Sequence, residues 1–409
     1  MLHSEPMITL ADVEAARARI RETILLSPCP RSEGISRLTG CDTFLKLENL
    51  QITGSFKERG ALNRLLLSTP AERERGVVCA SAGNHAQGVA YHAGRLGIPA
   101  TICMPEGTPL IKVSSTRSYG AKVVLHGANY DEACEEARRI ERREGLLFVH
   151  AFDDEAVIAG QGTLGLELLE QLPELDAVFA PIGGGGLISG LGVALKETRP
   201  GLRLYGVEAR QIAAMRASLD AHERVTLEAA GTIADGIAVR TVGEKTFPLV
   251  QRYVDDVFTV DEEEIASAIL LLLEREKTVA EGAGAAPLAA LLQDRAKGLG
   301  LRRVALILSG GNIDVNLIAR IIERGLVKAG RLVRLVIKLP DRPGSLARLT
   351  AALAEERANV IEIFHNRMSS RSALGEALVE MTLETRGQEH IDSLRATLRA
   401  RGYLAEQES

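Results

Sequence analysis

The chain has no tryptophan, and aromatic residues make up only 3% of its 409 positions. It therefore lacks the repeated aromatic platforms on which nucleic-acid bases stack. A formal net charge of -5 gives no basic field to gather a polyanion. Together these exclude a nucleic-acid partner. No apolar run approaches the ~20 residues of a membrane span, which argues against a membrane partner. The first ten residues carry His3, Ser4 and Glu5 rather than a basic stretch followed by an apolar one, so they do not read as a secretion signal. The five cysteines (Cys29, Cys41, Cys79, Cys103, Cys134) form no C-x-x-C pair. Such a scattered, odd-numbered set points to reduced thiols in the cytoplasm.

Glycine is plentiful, with 39 residues, in an otherwise ordinary enzyme composition of 46% hydrophobic and 25% charged residues. At ~150 residues per domain, the length suggests two to three domains. Apolar runs of four to five residues alternate with helical patterns. Strands are expected at Val77–Ala80, Ala100–Met104, Lys122–Leu125 and Leu146–His150, with helices at Asn84–Leu96, Leu110–Tyr119 and Tyr130–Arg143. Thr9 with Asp12 reads as a capping pair opening a helix over Leu10–Thr23. A second series has strands at Ala177–Ala180, Arg203–Val207, Val254–Val260 and Val304–Leu308, with helices at Leu187–Glu197, Glu262–Glu276 and Ile313–Glu323. Short strands joined by helical crossovers predict an α/β protein with two open, mainly parallel sheets, and ligands at the strands' carboxyl ends.

The pattern changes after Lys328-Ala329-Gly330. Strands are expected at Arg331–Leu339, Asn359–Asn366 and Glu376–Leu383, and helices at Pro343–Glu356 and His390–Arg401. A last strand can follow at Gly402–Ala405. This β-α-β-β-α order is ferredoxin-like and predicts a separate α+β domain over 331–409, joined by a linker at 326–330.

Four segments carry chemistry. In Thr53-Gly54-Ser55-Phe56-Lys57-Glu58-Arg59, one lysine sits where a helical pattern begins. A lysine drawn out of water loses basicity, by up to ~3–5 pKa units, and can form a Schiff base near neutral pH. Ser81-Ala82-Gly83-Asn84-His85 follows a strand and opens a helix, whose free N–H groups favour a carboxylate. Taken alone, that segment is an ordinary strand-to-helix turn capped by Asn84. Gly183-Gly184-Gly185-Gly186-Leu187 is costly in chain entropy, and its backbone can wrap a phosphate. The lysine and serine of a nucleotide P-loop are absent there. Ser309-Gly310-Gly311-Asn312 ends an apolar strand, and Ser309 either meets a ligand or merely caps the next helix.

TGSFKERGA, SAGNHAQG, GGGGL and SGGN, in this order, resemble the fold-type II pyridoxal-phosphate enzymes (tryptophan synthase β-like), and among them the threonine ammonia-lyases, also called threonine dehydratases. The resemblance runs from about residue 5 to 325. It implies a catalytic region over 1–325, with a smaller lobe (about 52–152) inserted in a larger one (1–51 and 153–325). DRPGSLARL, Asp341 to Leu349, resembles an ACT regulatory domain.

The resemblance implies pyridoxal 5'-phosphate as cofactor and assigns roles. Lys57 carries the internal aldimine and, once freed, takes the substrate Cα proton. Asn84 bonds the phenolic oxygen, Gly183, Gly184, Gly185, Gly186 and Leu187 hold the phosphate, and Ser309 meets the pyridine nitrogen. Ser81, Ala82, Gly83, Asn84 and His85 grip the substrate carboxylate. A serine at 309 cannot favour a protonated ring, so the electron sink is weaker and prompt β-elimination is favoured. The implied reaction takes L-threonine to 2-oxobutanoate and ammonia, and L-serine to pyruvate, in isoleucine biosynthesis or threonine catabolism. Related serine racemases carry a second serine where this chain has Ala82, so racemisation is disfavoured. Some relatives bind a divalent ion through a glutamate like Glu208 and an aspartate six residues later. That later position is Ala214, so no metal is expected.

At the ACT domain the resemblance implies an amino-acid effector, isoleucine or valine. Arg342, Gly344, Leu346 and Asn366 are candidate contacts in a homo-oligomer, dimer or tetramer. A domain that only drives assembly is the alternative there. For the whole chain, the alternatives are serine or 3-hydroxyaspartate dehydration on the same scaffold, or a non-enzymatic amino-acid sensor. His85 either touches substrate or steadies its helix start. His92 reads as packing or surface, Glu281 as minor, and Arg59 as a structural ion-pair partner.

Overall fold

A computed structural model describes residues 8–367 and 373–407. The expectation about the first residues lies outside this range. The chain forms two compact units, Met1–Ile313 and Asp314–Ser409.

The first unit holds two parallel sheets. One runs in the order Asp42–Leu47, Arg303–Leu308, Ala177–Pro181, Arg203–Ala209, Asp256–Val260. The other runs Lys122–Leu125, Ala100–Met104, Val77–Ala80, Leu147–Phe148. Every pairing in both is parallel. The strands are short and apolar because helices cover both faces. Val77–Ala80 and Ala100–Met104 are buried at every position.

Local signals fix several element ends. Thr9 and Asp12 form a reciprocal capping box, and the helix they open runs Leu10–Ile20, ending short of the expected Thr23. Asp261 and Glu264 form another such box. Gly97 ends the helix Asn84–Leu96 in the left-handed region, at φ 68°. The helix expected over Glu262–Glu276 is α only to Leu271 and widens to a π turn through Glu276.

The strand Asp42–Leu47 went unforeseen. Its centre carries Lys46, 0% exposed, which breaks the apolar pattern that marks a buried strand. Lys46 belongs to a buried ion cluster. Its Nζ donates to Glu167 Oε2 at 2.6 Å and to the Ser27 carbonyl at 2.9 Å. Arg59 bonds the Glu48 carboxylate at 2.7 and 2.8 Å and that of Glu167 at 2.6 and 2.9 Å. Two cations thus face two anions. Burial works against the Glu48 charge, yet the Arg59 charge and bonds outweigh it and hold its pKa below the usual carboxylate range. Arg59 lies on the helix Lys57–Leu66, Glu167 on Glu155–Gln171, and Glu48 just after the strand Asp42–Leu47. The cluster therefore ties three elements together next to Lys57, and Arg59 is the ion-pair partner expected of it.

The second unit is a four-stranded antiparallel sheet in the order Asn359–Asn366, Glu376–Glu384, Leu332–Pro340, Ala405–Gln407. Helices Ser345–Glu355 and Gln388–Ala400 supply Leu349, Leu353, Ile391, Leu394 and Leu398 to its core. The break between units falls after Ile313, not at 325. The helix Val315–Lys328 packs on Leu332–Pro340, with Glu323 paired to Arg334, and so belongs to the second unit. Much of the expected linker at 326–330 is the last turn of that helix.

Arg59→Met leaves Glu48 without its guanidinium partner in a dry site. We expect the first unit to lose about 3–5 kcal/mol of stability, read from urea unfolding. A loss under about 1 kcal/mol would show the cluster to be energetically idle.

Candidate active site

Residues 54–56 pair antiparallel with 309–311. Ser55 bridges Gly310, Phe56 N–H donates to the Ser309 carbonyl at 3.0 Å, and Gly311 N–H to the Gly54 carbonyl at 2.9 Å. This pairing sets the start of the Lys57 helix beside the carboxyl end of the strand Arg303–Leu308. Lys57 Nζ donates to the Ala151 carbonyl at 3.0 Å. Burial lowers its pKa to about 8, with Glu281 pulling the other way. A lysine in that state is partly neutral near physiological pH and is a competent nucleophile toward an aldehyde.

Glu281 has a larger place than the sequence suggested. Its Oε1 accepts from Asn84 Nδ2 at 2.7 Å, and its backbone N–H donates to the Gly310 carbonyl at 3.0 Å. Burial pushes its carboxyl up to about 7, against the Asn84 bond. The available signal was a lone acidic residue opening Gly282–Leu292, a helix with no charge along it. Lys57, Asn84, Glu281 and Ser309 therefore converge.

The tetraglycine turn lies after the strand Ala177–Pro181 and opens the helix Gly186–Thr198. Gly185, at φ 97°, is its N-cap and offers no side-chain cap, so the first N–H groups remain for an anion. A Cβ on Gly184 would lie 2.3 Å from the Phe152 ring, and one on Gly183 3.2 Å from Ile237 Cα. The Leu187 side chain is in the apolar core, leaving its backbone for a ligand. Thr246 Oγ1 braces the turn by donating to the Gly184 carbonyl at 2.6 Å.

The segment His150-Ala151-Phe152-Asp153 escaped notice in the sequence. His150 Nδ1 accepts from the N–H groups of Phe152 and Asp153 at 3.2 and 2.8 Å. That shape points the Ala151 carbonyl at Lys57 and packs Phe152 on the glycines. Asp153 accepts from the N–H of Lys245 at 2.8 Å. No side-chain motif announces such a loop, since much of its contribution is backbone.

In the Ser81–His85 segment, Ser81 Oγ accepts from Gly83 N–H at 3.2 Å, and Ala82 packs on the apolar cluster that includes Val77, Val89 and Ile102. Gly83 is the N-cap of the helix Asn84–Leu96 and has no side chain to satisfy its free N–H groups. His85 is buried, with Nε2 2.9 Å from the Val149 carbonyl. One ring nitrogen is thus spent on the protein's own backbone, while the buried Nδ1 has no hydrogen-bond partner among the described residues. His92 is buried as well, 3.4 Å from Glu58. Glu208 accepts from Met215 and Arg216 N–H at 2.8 Å each.

These residues fit pyridoxal 5'-phosphate: a half-buried amine of lowered basicity, a glycine-lined helix start, and a buried hydroxyl and a half-buried amide beside them. The family model of pyridoxal-phosphate-dependent enzymes matches residues 20–310. The chain belongs to that family. An ACT-domain model matches residues 333–402. An L-threonine ammonia-lyase of Thermotoga maritima is 49% identical over 398 residues, covering 97% of this chain and 98% of that protein. The processed form of a threonine deaminase from Solanum lycopersicum superposes with TM-score 0.74 at 37% identity, over 77% of this chain and 91% of that one. Maize serine racemase does so with TM-score 0.74 at 34% identity, over 78% and 98%.

Burial holds the His85 pKa down at about 3, from 6.5, with Lys57 adding to the effect. The unfolded chain therefore binds a proton here that the folded chain refuses, and the stability associated with neutral His85 is lost as pH falls below 6.5. Compared with His85→Gln, the parent chain should lose about 1.4 kcal/mol more per pH unit below that point, read from urea midpoints. Parallel pH profiles would contradict this.

Proposed function

We propose that this chain is a pyridoxal 5'-phosphate-dependent L-threonine ammonia-lyase, giving 2-oxobutanoate and ammonia, and pyruvate from L-serine. The reading rests on Lys57, a half-buried amine lowered to about 8 whose bonded partner is a carbonyl rather than a carboxylate. Such an amine is free to bind an aldehyde and to exchange a proton. Similarity to named threonine ammonia-lyases over nearly the whole chain supports the substrate.

When bound, the cofactor supplies an electron sink that acidifies the substrate Cα–H. Lys57 Nζ holds it and serves as base for that proton. The N–H groups at the starts of Gly186–Thr198 and Asn84–Leu96 receive the phosphate and the substrate carboxylate respectively. Ser309 would offer the ring nitrogen a neutral hydroxyl rather than a carboxylate, which suits elimination of the β-hydroxyl. Ala82 has no proton to give on the opposite face, which disfavours racemisation.

The second unit is read as an amino-acid sensor. Gly344, at φ 85°, is the N-cap of Ser345–Glu355 and gives the Asp341–Gly344 turn its shape. Leu346 is half-buried against the core. The edge strand Asn359–Asn366 exposes Ile361, Ile363 and Phe364, which supports pairing with a second copy in a dimer or tetramer. Isoleucine or valine would bind at the Arg342–Leu346 turn and Asn366. Among the described residues no helix is long and apolar enough to cross a membrane. The five cysteines are free thiols, as a cytoplasmic location would allow.

A keto-acid assay should rank threonine above serine and 3-hydroxyaspartate, and Lys57→Ala should lower turnover at least about 10³-fold. A preference for 3-hydroxyaspartate would move the assignment to its sister activity. Full activity in Lys57→Ala would reject the lyase reading. Isoleucine or valine should change the activity of the full chain. Indifference to every branched-chain amino acid would leave the second unit an assembly module.

A further inference from the structure

Asn84 is gripped from two sides. Its Nδ2 donates to Glu281 Oε1 at 2.7 Å, and its Oδ1 accepts from Asn312 Nδ2 at 2.8 Å. The amide cannot be turned round. Asn312 Nδ2 also donates to the Thr53 carbonyl at 2.7 Å, a group that can only accept. The nitrogen end of Asn312 is therefore fixed, both its hydrogens are used, and one of them needs an acceptor from Asn84. At the far end, Glu281 Oε1 needs a donor. The run Thr53–Asn312–Asn84–Glu281 has a single polarity.

The backbone is built around this run. A Cβ on Gly310 would fall 2.6 Å from Glu281 Oε1, and one on Gly54 2.6 Å from Asn312 Oδ1. Gly54 also has φ 73°, where a side chain is disfavoured. Glu281 is 4% exposed and is the N-cap of Gly282–Leu292, yet its side chain makes no capping bond to that helix. It turns to Asn84 instead. Lys57, Lys112 and Asp235 are the other charged groups that act on it.

We propose that Glu281 is a positioning residue: with Asn312 setting the polarity of the Asn84 amide, Glu281 anchors its Nδ2 end in place so that Asn84 serves as a hydrogen-bond donor toward the cofactor's ring oxygen. The inference rests on the reading of Asn84 as the partner of that oxygen. One Nδ2 hydrogen goes to Glu281, and the second is the polar hydrogen the amide has to offer a ligand. A donor stabilises an ionised ring oxygen. A carbonyl in its place would repel the ion and favour the protonated hydroxyl.

The test compares the cofactor's absorbance across pH in the holoenzymes of the parent chain, Glu281→Ala, Glu281→Gln, Asn84→Ala and the Glu281→Ala/Asn84→Ala pair, each at measured cofactor occupancy. Glu281→Ala should move the ring oxygen toward its protonated form by about tenfold, the size of one charged hydrogen bond. Glu281→Gln, which keeps a carbonyl acceptor, should stay within about threefold of the parent. In the Asn84→Ala background, Glu281→Ala should add nothing. If Asn84→Ala shifts the balance and Glu281→Ala does not, or if the Glu281→Ala shift persists undiminished without Asn84, the positioning role is overturned. If Asn84→Ala alone changes nothing, the reading of Asn84 fails and the positioning role falls with it. Should Glu281→Ala not fold, Glu281→Met takes its place: it fills similar space without offering an acceptor and should give the same shift, whereas an unchanged balance would overturn the role.

Discussion

The pairing of residues 54–56 with 309–311 sets a half-buried lysine amine at the end of a strand, and most of the site follows from it. The two segments lie more than half the chain apart in sequence. Once they pair, Lys57 starts its helix beside the end of the strand Arg303–Leu308, and Asn312 comes within reach of Asn84 and Thr53. The half-buried amine loses basicity because its charge is poorly solvated there. The same desolvation raises Glu281 and lowers His85 and His150. Shifted groups clustered around one amine mark a region built for proton chemistry rather than for packing alone.

Rigidity comes from behind the site. The buried cluster of Lys46, Glu48, Arg59 and Glu167 is costly to desolvate, and charged groups in such a place do not by themselves favour stability. What they add is geometry. Arg59 follows Lys57 closely on the same helix, and its guanidinium locks the helix that carries the amine to two other elements. The segment His150–Asp153 does the same from the front, presenting a carbonyl to Lys57 and a ring to the tetraglycine turn.

Much of this was legible in the sequence where local rules decide. The strands Val77–Ala80 and Ala100–Met104 and the helix Asn84–Leu96 have the expected bounds because apolar runs, a strand-to-helix turn and Gly97 mark them directly. The α/β architecture and the antiparallel second unit followed from the same signals, and the glycine motifs pointed to the cofactor family. What was hidden depends on partners distant in sequence. Asp42–Leu47 carries a buried lysine whose counter-charge is over a hundred residues away, so its pattern did not read as a strand. Glu281 gains its place only when Gly310 and Asn84 come to it. The helix Val315–Lys328 joined the wrong domain because nothing local says which sheet a helix packs on.

The central claim is that one particular amine holds the cofactor. Reduction of the holoenzyme with borohydride fixes any imine as a stable amine, and peptide mass mapping then locates it. We predict a pyridoxyl adduct on the peptide containing Lys57 and on no other lysine. An adduct elsewhere, or a fully active holoenzyme without one at Lys57, would contradict the account.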